Sequence, residues 1–249
     1  MSLLFYNDFL IKASNAHYLG GPVPEGIVHC HIWNLDKLLQ NLDHHITLCT
    51  SMGDWTVEQQ NDVFVVRHGF NNKFAFRLPH FINKWYTPHA MTTDPRIIGV
   101  PCGVMKKSEQ NIKQVGQEDI AKDYKRLLYV NFNTGNHPVR GPLMKHYMTE
   151  PWATAHMPTP GDGLDYFREM KRHHFTLCPP GIGADAYRTW EALYMGSIPV
   201  VPIGAHHHFP MLPLLQVPMH AMDKLTEAQL RKFYKNAPKI EPKYLTEEY

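Results

Sequence analysis

The sequence predicts an α/β protein built as two small lobes around a cleft. Three observations carry this. Short apolar runs alternate with stretches of helical spacing, glycines and prolines punctuate the ends of those runs, and the rhythm restarts after a polar stretch near the middle of the chain. No internal sequence repeat accompanies the restart.

The elements follow in order. Ile27–Trp33 (IVHCHIW) reads as a strand, Leu35–Leu42 (LDKLLQNL) has apolar residues at helical spacing, and His45–Thr50 (HITLCT) is a second strand that ends at Ser51-Met52-Gly53-Asp54. Val63–His68 (VFVVRH) is a third strand, and Ile97–Val100 (IIGV) a fourth that stops at Pro101. Met105–Asp123 is polar and weakly periodic, a linker or a solvated helix. Arg126–Asn133 (RLLYVNFN) restarts the pattern as a strong strand, followed by the turn-rich Thr134–Arg140 (TGNHPVR). Met144–Met148 opens a helix, Trp152–His156 is a short strand, and Leu164–Arg172 (LDYFREMKR) is an amphipathic helix. Phe175–Cys178 is a strand cut off by Pro179-Pro180-Gly181, Ala186–Met195 a helix, and Ile198–Pro202 the next strand. Leu225–Lys235 is the last clear helix, with Asp223 or Thr226 as its cap. The two expected domains are residues 1–115 and 116–249.

Composition excludes several classes. With 43% hydrophobic and 19% charged residues in a chain of 249, extensive disorder is not expected. Every apolar run is far shorter than the roughly 18 residues a membrane span needs. The start, MSLLFYNDFLIK, shows no basic region and no small-residue cleavage site, so a soluble cytoplasmic protein is the expectation. A net charge of +2 is too weak and scattered for a nucleic-acid footprint. The cysteines (Cys30, Cys49, Cys102, Cys178) contain no CxxC and read as buried free thiols.

The most informative stretch is FTLCPPGIGADAYRTWEALYMGSIPVVP, residues 175–202. It reads as strand, glycine loop, helix, turn and strand. Gly181 permits close approach of the backbone to a ligand, Asp185 is placed to cap the helix, and Gly196 stands where a helix-ending glycine belongs. Ligands of open α/β sheets bind beyond the carboxyl ends of the strands, where helix amides favour an anion such as phosphate. Arg188 suits a bidentate clamp on phosphate oxygens, and Glu191, three residues on and on the same helix face, suits two ribose hydroxyls. The plainer reading is that Arg188 and Glu191 only pair with each other.

This stretch resembles the donor-binding segment of exostosin-like glycosyltransferases (glycosyltransferase family 47), whose small relatives include viral xylosyltransferases. The matching residues are Leu177, Pro179, Gly181, Asp185, Arg188, Trp190, Glu191, Ala192, Leu193, Gly196, Ile198, Pro199, Val200 and Val201. Thr47–Val57, with Gly53, Asp54 and Val57 matching, agrees in order, although Ser51-Met52 replace the usual His-Asn. So do Lys84-Trp85-Tyr86, Pro95–Val104 and Leu128–Arg140, the last with Thr134 and Arg140 at the polar positions. The resemblance implies a GT-B type architecture of two Rossmann-like lobes. It also implies a donor lobe that binds a UDP-sugar, with Glu191 on the ribose, Arg188 and Arg140 on the diphosphate, and Leu177–Gly181 at the base. Thr134, Pro179 and Asp185 complete the expected donor contacts. The reaction it implies is inverting transfer to a glycan hydroxyl, with UDP-xylose as the best donor and neither cofactor nor metal.

Such a reaction needs a base. Asp54, at the end of a strand in the first lobe, is the preferred candidate, with capping of the turn as its plainer role. Asp8 and His31 are the others. Trp55 is the candidate acceptor platform, and Trp190 reads as a packing residue. The 17 histidines include His29 and His31 on one strand face, His173-His174 and His206–His208, but no carboxylate stands at a metal-site spacing such as HExxH. His206–His208 stand after a strand as candidate rim residues of the donor cleft. A histidine-based metal hydrolase and a non-catalytic nucleotide- or sugar-binding module are the competing readings. The oligomeric state and the acceptor are left open.

Overall fold

The computed structural model describes residues 8–51, 55–68, 71–159, 163–239 and 245. The chain divides into two compact units. Of the described residues, the first takes those from Asp8 to Cys102 together with Gly181–Asp185, and the second takes those of Gly103–Pro180 and those from Ala186 onward.

The first unit contains α1 (Asp8–Ala13), β1 (Ala16–Tyr18), β2 (Gly26–His31), α2 (Leu35–Asn41) and β3 (Ile46–Ser51). It continues with β4 (Trp55–Gln60), β5 (Val63–His68), β6 (Asn71–Phe76), β7 (Ile82–Thr87), β8 (Ala90–Met91) and β9 (Ile97–Gly99). Strands β1-β2-β3-β7-β9 form one wholly parallel sheet. Its core is the apolar set the strands bring inward, including Val28, Leu48, Ile82 and Trp85, all fully buried. Three of its buried polar groups are linked in a chain: Trp85 Nε1 donates to Thr50 Oγ1 at 2.8 Å, and Thr50 Oγ1 donates to Thr87 Oγ1 at 2.8 Å.

One feature departs from the expected run of parallel βα units. Val63–His68 is the middle strand of a second sheet, ordered β6-β5-β4-β8, in which β5 pairs antiparallel with both neighbours. Antiparallel neighbours need no helical crossover, so no helix separates these strands.

The second unit contains α3 (Glu109–Gln117), β10 (Leu128–Val130), α4 (Arg140–Tyr147), β11 (Ala153–Ala155) and α5 (Gly163–Arg172). It continues with β12 (Phe175–Leu177), α6 (Tyr187–Tyr194), β13 (Ile198–Pro202), β14 (Leu215–Val217) and α7 (Glu227–Asn236). The sheet order is β11-β10-β12-β13-β14, parallel throughout. Counted within the unit this is 2-1-3-4-5, a doubly wound order whose switch point falls between β10 and β12. The architecture is α/β with parallel sheets, and this unit is compatible with a Rossmann-like fold.

Local sequence explains the helix ends. Thr226 and Gln229 form a reciprocal capping box at α7, so Thr226 rather than Asp223 is the cap. Helix α4 begins at Arg140, earlier than the sequence suggests, because Pro142 falls in the first turn, where its missing N–H leaves no helix bond unmade. The polar stretch from Met105 is largely helical. Lys171 Nζ on α5 donates to the carbonyls of Val115, Gly116 and Glu118 at the end of α3, at 2.9, 2.8 and 2.6 Å. Arg168 clamps Glu118 bidentately at 2.8 and 2.9 Å, so α3 is docked on α5. Among the described residues, no helix is long and apolar enough to cross a membrane.

Candidate active site

A cavity of about 350 Å³ lies within the second unit, just past the carboxyl end of β10 at Asn131 and beside α6, the helix that follows β12. Its lining includes Ser108, Asn131, Tyr166, Arg188 and Glu191. The position is the switch point of the sheet, where a ligand is expected on topological grounds alone, and the volume lies in the range of small-molecule sites.

Helix α6 supplies the charged pair. Its buried face carries Thr189, Trp190, Ala192 and Leu193, and Gly196 follows its end at φ +65°, the left-handed turn glycine adopts without cost. Trp190 packs edge-on against Phe209, with ring centroids 5.2 Å apart, which makes it the packing residue expected. Glu191 is buried, at 7% exposure. Its Oε2 accepts from Tyr166 Oη at 2.8 Å and its Oε1 from Ser108 Oγ at 3.4 Å. Burial pushes the Glu191 carboxyl up from its ordinary 4.5, against the opposing pull of Arg188, Tyr166, Ser108 and Lys107. Burial, then the Glu191 charge, holds the Tyr166 phenol well above its ordinary 10, so the hydroxyl stays a donor. Arg188 lies over the ring of Phe132, 5.5 Å from its centroid, and its Nε is buried without a hydrogen-bond partner.

The other expected donor contacts have different surroundings. Arg140 also stands 5.5 Å over Phe132, but its guanidinium donates to Pro180 O at 2.8 Å, Asn133 O at 3.1 Å and Pro179 O at 3.1 Å. It holds the loop leaving β12. Thr134 is half-buried in a 3-10 turn, Thr134–Asn136, fixed by Asn133 Oδ1 accepting from Gly135 N at 2.8 Å. Pro179 is buried and Gly181 half-buried at the start of the glycine loop.

Asp185 is not the cap of α6. Ala186 holds that position with no side-chain cap bond. The Asp185 carboxylate instead accepts from Cys102 N at 3.0 Å, and its own N–H donates to His89 Nδ1 at 3.0 Å. Acceptance of a distant amide outcompetes the local cap because the loop is folded into the first unit.

Of the base candidates, Asp54 lies outside the described residues, as do Met52 and Gly53. Asp8 opens α1. His31 ends β2, stacked on Trp33 with centroids 4.7 Å apart, and its Nδ1 is buried without a hydrogen-bond partner. Trp55 opens β4 beneath Lys73 Nζ, which stands 5.8 Å from its ring centroid. His29 and His31 do share a face, with ring centroids 5.2 Å apart, and His29 bonds to Ser51 Oγ and to His17. Among the described residues, no three His, Cys, Asp or Glu side chains are grouped so as to hold a metal ion. All four cysteines are free and buried, as expected.

Tyr166, Ser108, Phe132 and Asn131 are site residues that sequence reasoning did not select. Asn131 carried a signal: it is a polar residue inside an otherwise apolar strand run, and it is buried. Tyr166 and Ser108 carried none, because only folding brings them to Glu191.

No curated protein matches the chain. Residues 147–207, from the end of α4 through the loop after β13, match a family described as the RXYLT1 C-terminal domain. Over that segment the chain is similar to a xylosyltransferase-related family, and the match suggests a glycosyltransferase-like function.

Proposed function

We propose that the protein is a UDP-sugar-dependent glycosyltransferase that binds its donor in the second-unit cavity. The observation that carries this reading is the placement of the buried Glu191 and the half-buried Arg188 together in the lining of one cavity at the switch point of a 2-1-3-4-5 sheet. A carboxylate accepts two hydroxyl donors, as a ribose diol presents, and a guanidinium meets phosphate oxygens bidentately. In the transfer step negative charge grows on the departing diphosphate. Arg188 and the first amides of α6 are fixed positive ends that stabilise it without a metal. The match to a xylosyltransferase-related domain favours UDP-xylose.

A GT-B type division of labour belongs to the same proposal, with the N-terminal lobe serving the acceptor and the C-terminal lobe the donor. In an inverting reaction Asp54 takes the acceptor proton, with Asp8 and His31 as alternatives. Asp54→Asn with intact UDP affinity and lost transfer supports the base assignment; Asp54→Asn with full turnover removes it.

Calorimetric titration with UDP, with GDP as control, once with magnesium or manganese and once with EDTA, tests the reading. UDP binding in EDTA with GDP much weaker supports it and justifies a turnover screen with UDP-xylose. Binding only with metal overturns the metal-independent form. Absence of nucleotide binding under both conditions overturns the transferase and favours a module that keeps the scaffold without the chemistry.

A further inference from the structure

We propose that Tyr166 is a positioning residue of this site, whose hydroxyl holds the Glu191 carboxylate in the orientation that accepts a vicinal diol. The inference rests on the nucleotide-sugar reading above and assigns a residue that reading does not need.

The geometry is specific. Tyr166 Oη reaches Glu191 Oε2 at 2.8 Å from α5, and Ser108 Oγ reaches Oε1 at 3.4 Å from the 3-10 turn Lys106–Ser108. Each carboxylate oxygen thus has one donor from the protein, and each carries a second lone pair. A vicinal diol supplies two donors at matching spacing. With both protein donors in place the carboxyl plane is set before the ligand arrives, so less ordering remains to be done on binding.

The charge state follows the same contacts. The groups facing Glu191 are Arg188 on its own helix, Tyr166 on α5, and Ser108 and Lys107 on the turn before α3. Burial favours the neutral acid, and these four favour the carboxylate. Loss of the Tyr166 hydroxyl removes one of the four and raises the carboxyl further. A protonated Glu191 offers one acceptor fewer to the diol, so affinity falls as pH drops through its pKa, and in Tyr166→Phe that fall begins at higher pH.

The test is the affinity of wild type, Tyr166→Phe and Ser108→Ala for UDP-xylose between pH 5 and 8. UDP-xylose is chosen because its diphosphate has no free terminal group titrating near 6. The dideoxy analogue of UDP lacking both ribose hydroxyls is the second probe, at pH 8. Tyr166→Phe is expected to bind UDP-xylose about tenfold more weakly at pH 7, with its acid fall-off at higher pH than wild type. It is expected to bind the dideoxy probe as wild type does. Ser108→Ala is expected to shift the same way by less, and it carries the test if Tyr166→Phe does not fold. Wild-type affinity and pH profile in these variants overturn the positioning role alone. An equal loss for both probes at pH 8, with the acid fall-off for UDP-xylose unshifted, also overturns it, leaving Tyr166 a packing residue. A wild type that binds neither probe overturns the nucleotide-sugar reading and this inference with it.

Discussion

Arg140 and Arg188 stand at the same 5.5 Å from the ring of Phe132, yet their guanidinium groups meet different partners. Arg140 is 4% exposed and donates to three backbone carbonyls, while Arg188 keeps a buried Nε without a hydrogen-bond partner. The first is committed to the backbone, while the second faces Tyr166 and Glu191 in the cavity lining. Arg140→Ala leaves buried carbonyls unsatisfied and is expected to lower stability by about 2–4 kcal/mol. Arg188→Ala removes the counter-charge of the buried Glu191 carboxylate, so it is expected to lower stability as well, by about 2–4 kcal/mol, and, unlike Arg140→Ala, to remove most UDP affinity. Urea denaturation and calorimetry of both variants separate the roles. Arg140→Ala with wild-type stability and lost UDP binding would reverse the assignment.

Glu191 sets function against stability. Its carboxyl is raised in the folded state, so the folded protein binds that proton more readily than the unfolded chain. The ionised group therefore lowers stability at neutral pH, and this effect disappears as pH falls through its folded pKa. Glu191→Gln keeps the shape and removes the charge. It is expected to melt at a higher temperature than wild type at pH 7, with the gap narrowing toward pH 5, and to lose UDP affinity at both. An unchanged UDP affinity in Glu191→Gln would sink the placement of the ribose.

His174 makes an acid-sensitive core. Its ring lies between Tyr124 and Tyr234, with centroids 4.8 and 4.4 Å away, and both ring nitrogens are buried without a hydrogen-bond partner. Burial first, then Lys122, Arg231 and His173, bring its pKa down to about 4 from 6.5. The folded state keeps the ring neutral while the unfolded chain protonates it below 6.5. Its stability contribution is therefore full above pH 6.5 and is lost as pH falls toward 4, amounting to roughly 3 kcal/mol at most. His174→Phe is expected to flatten the loss of stability over that window in urea titrations at pH 7, 5.5 and 4.5. Parallel pH profiles for the two proteins would refute the account.

How far the sequence was legible follows from the same physics. The stretch from β12 through α6 to β13 was readable because central parallel strands are continuous apolar runs and its glycines mark real turns. Strands β4 and β6 were not, because WTVEQQ and NNKFAF carry too many polar residues for an apolar run, and β6 is largely exposed. Glu191 and Arg188 could be named from their helix spacing, but Ser108 lies 83 residues from Glu191 and Tyr166 lies 25. Asp185 was misread as a cap because its partner, Cys102 N, is 83 residues away. Local rules find local bonds; these depend on packing.

The glycine loop gives a prediction that local sequence rules could not supply. Within the first unit, His89 is buried at a left-handed φ of +55°, and its ring faces Gly183. A Cβ on Gly183 would stand 2.7–2.9 Å from three atoms of that ring, closer than any ordinary contact. The ring cannot withdraw freely, because its Nδ1 accepts from Asp185 N at 3.0 Å. Gly183→Ala is therefore expected to destabilise by about 1–3 kcal/mol, the range for overpacking a filled interior. His89→Ala removes the obstacle along with its acceptor, so Gly183→Ala should cost much less in that background than in wild type. Chemical denaturation of both single variants and the double variant measures the coupling. Additive losses would show that the methyl group is accommodated by the loop backbone and that the His89 ring is not what requires glycine at this position.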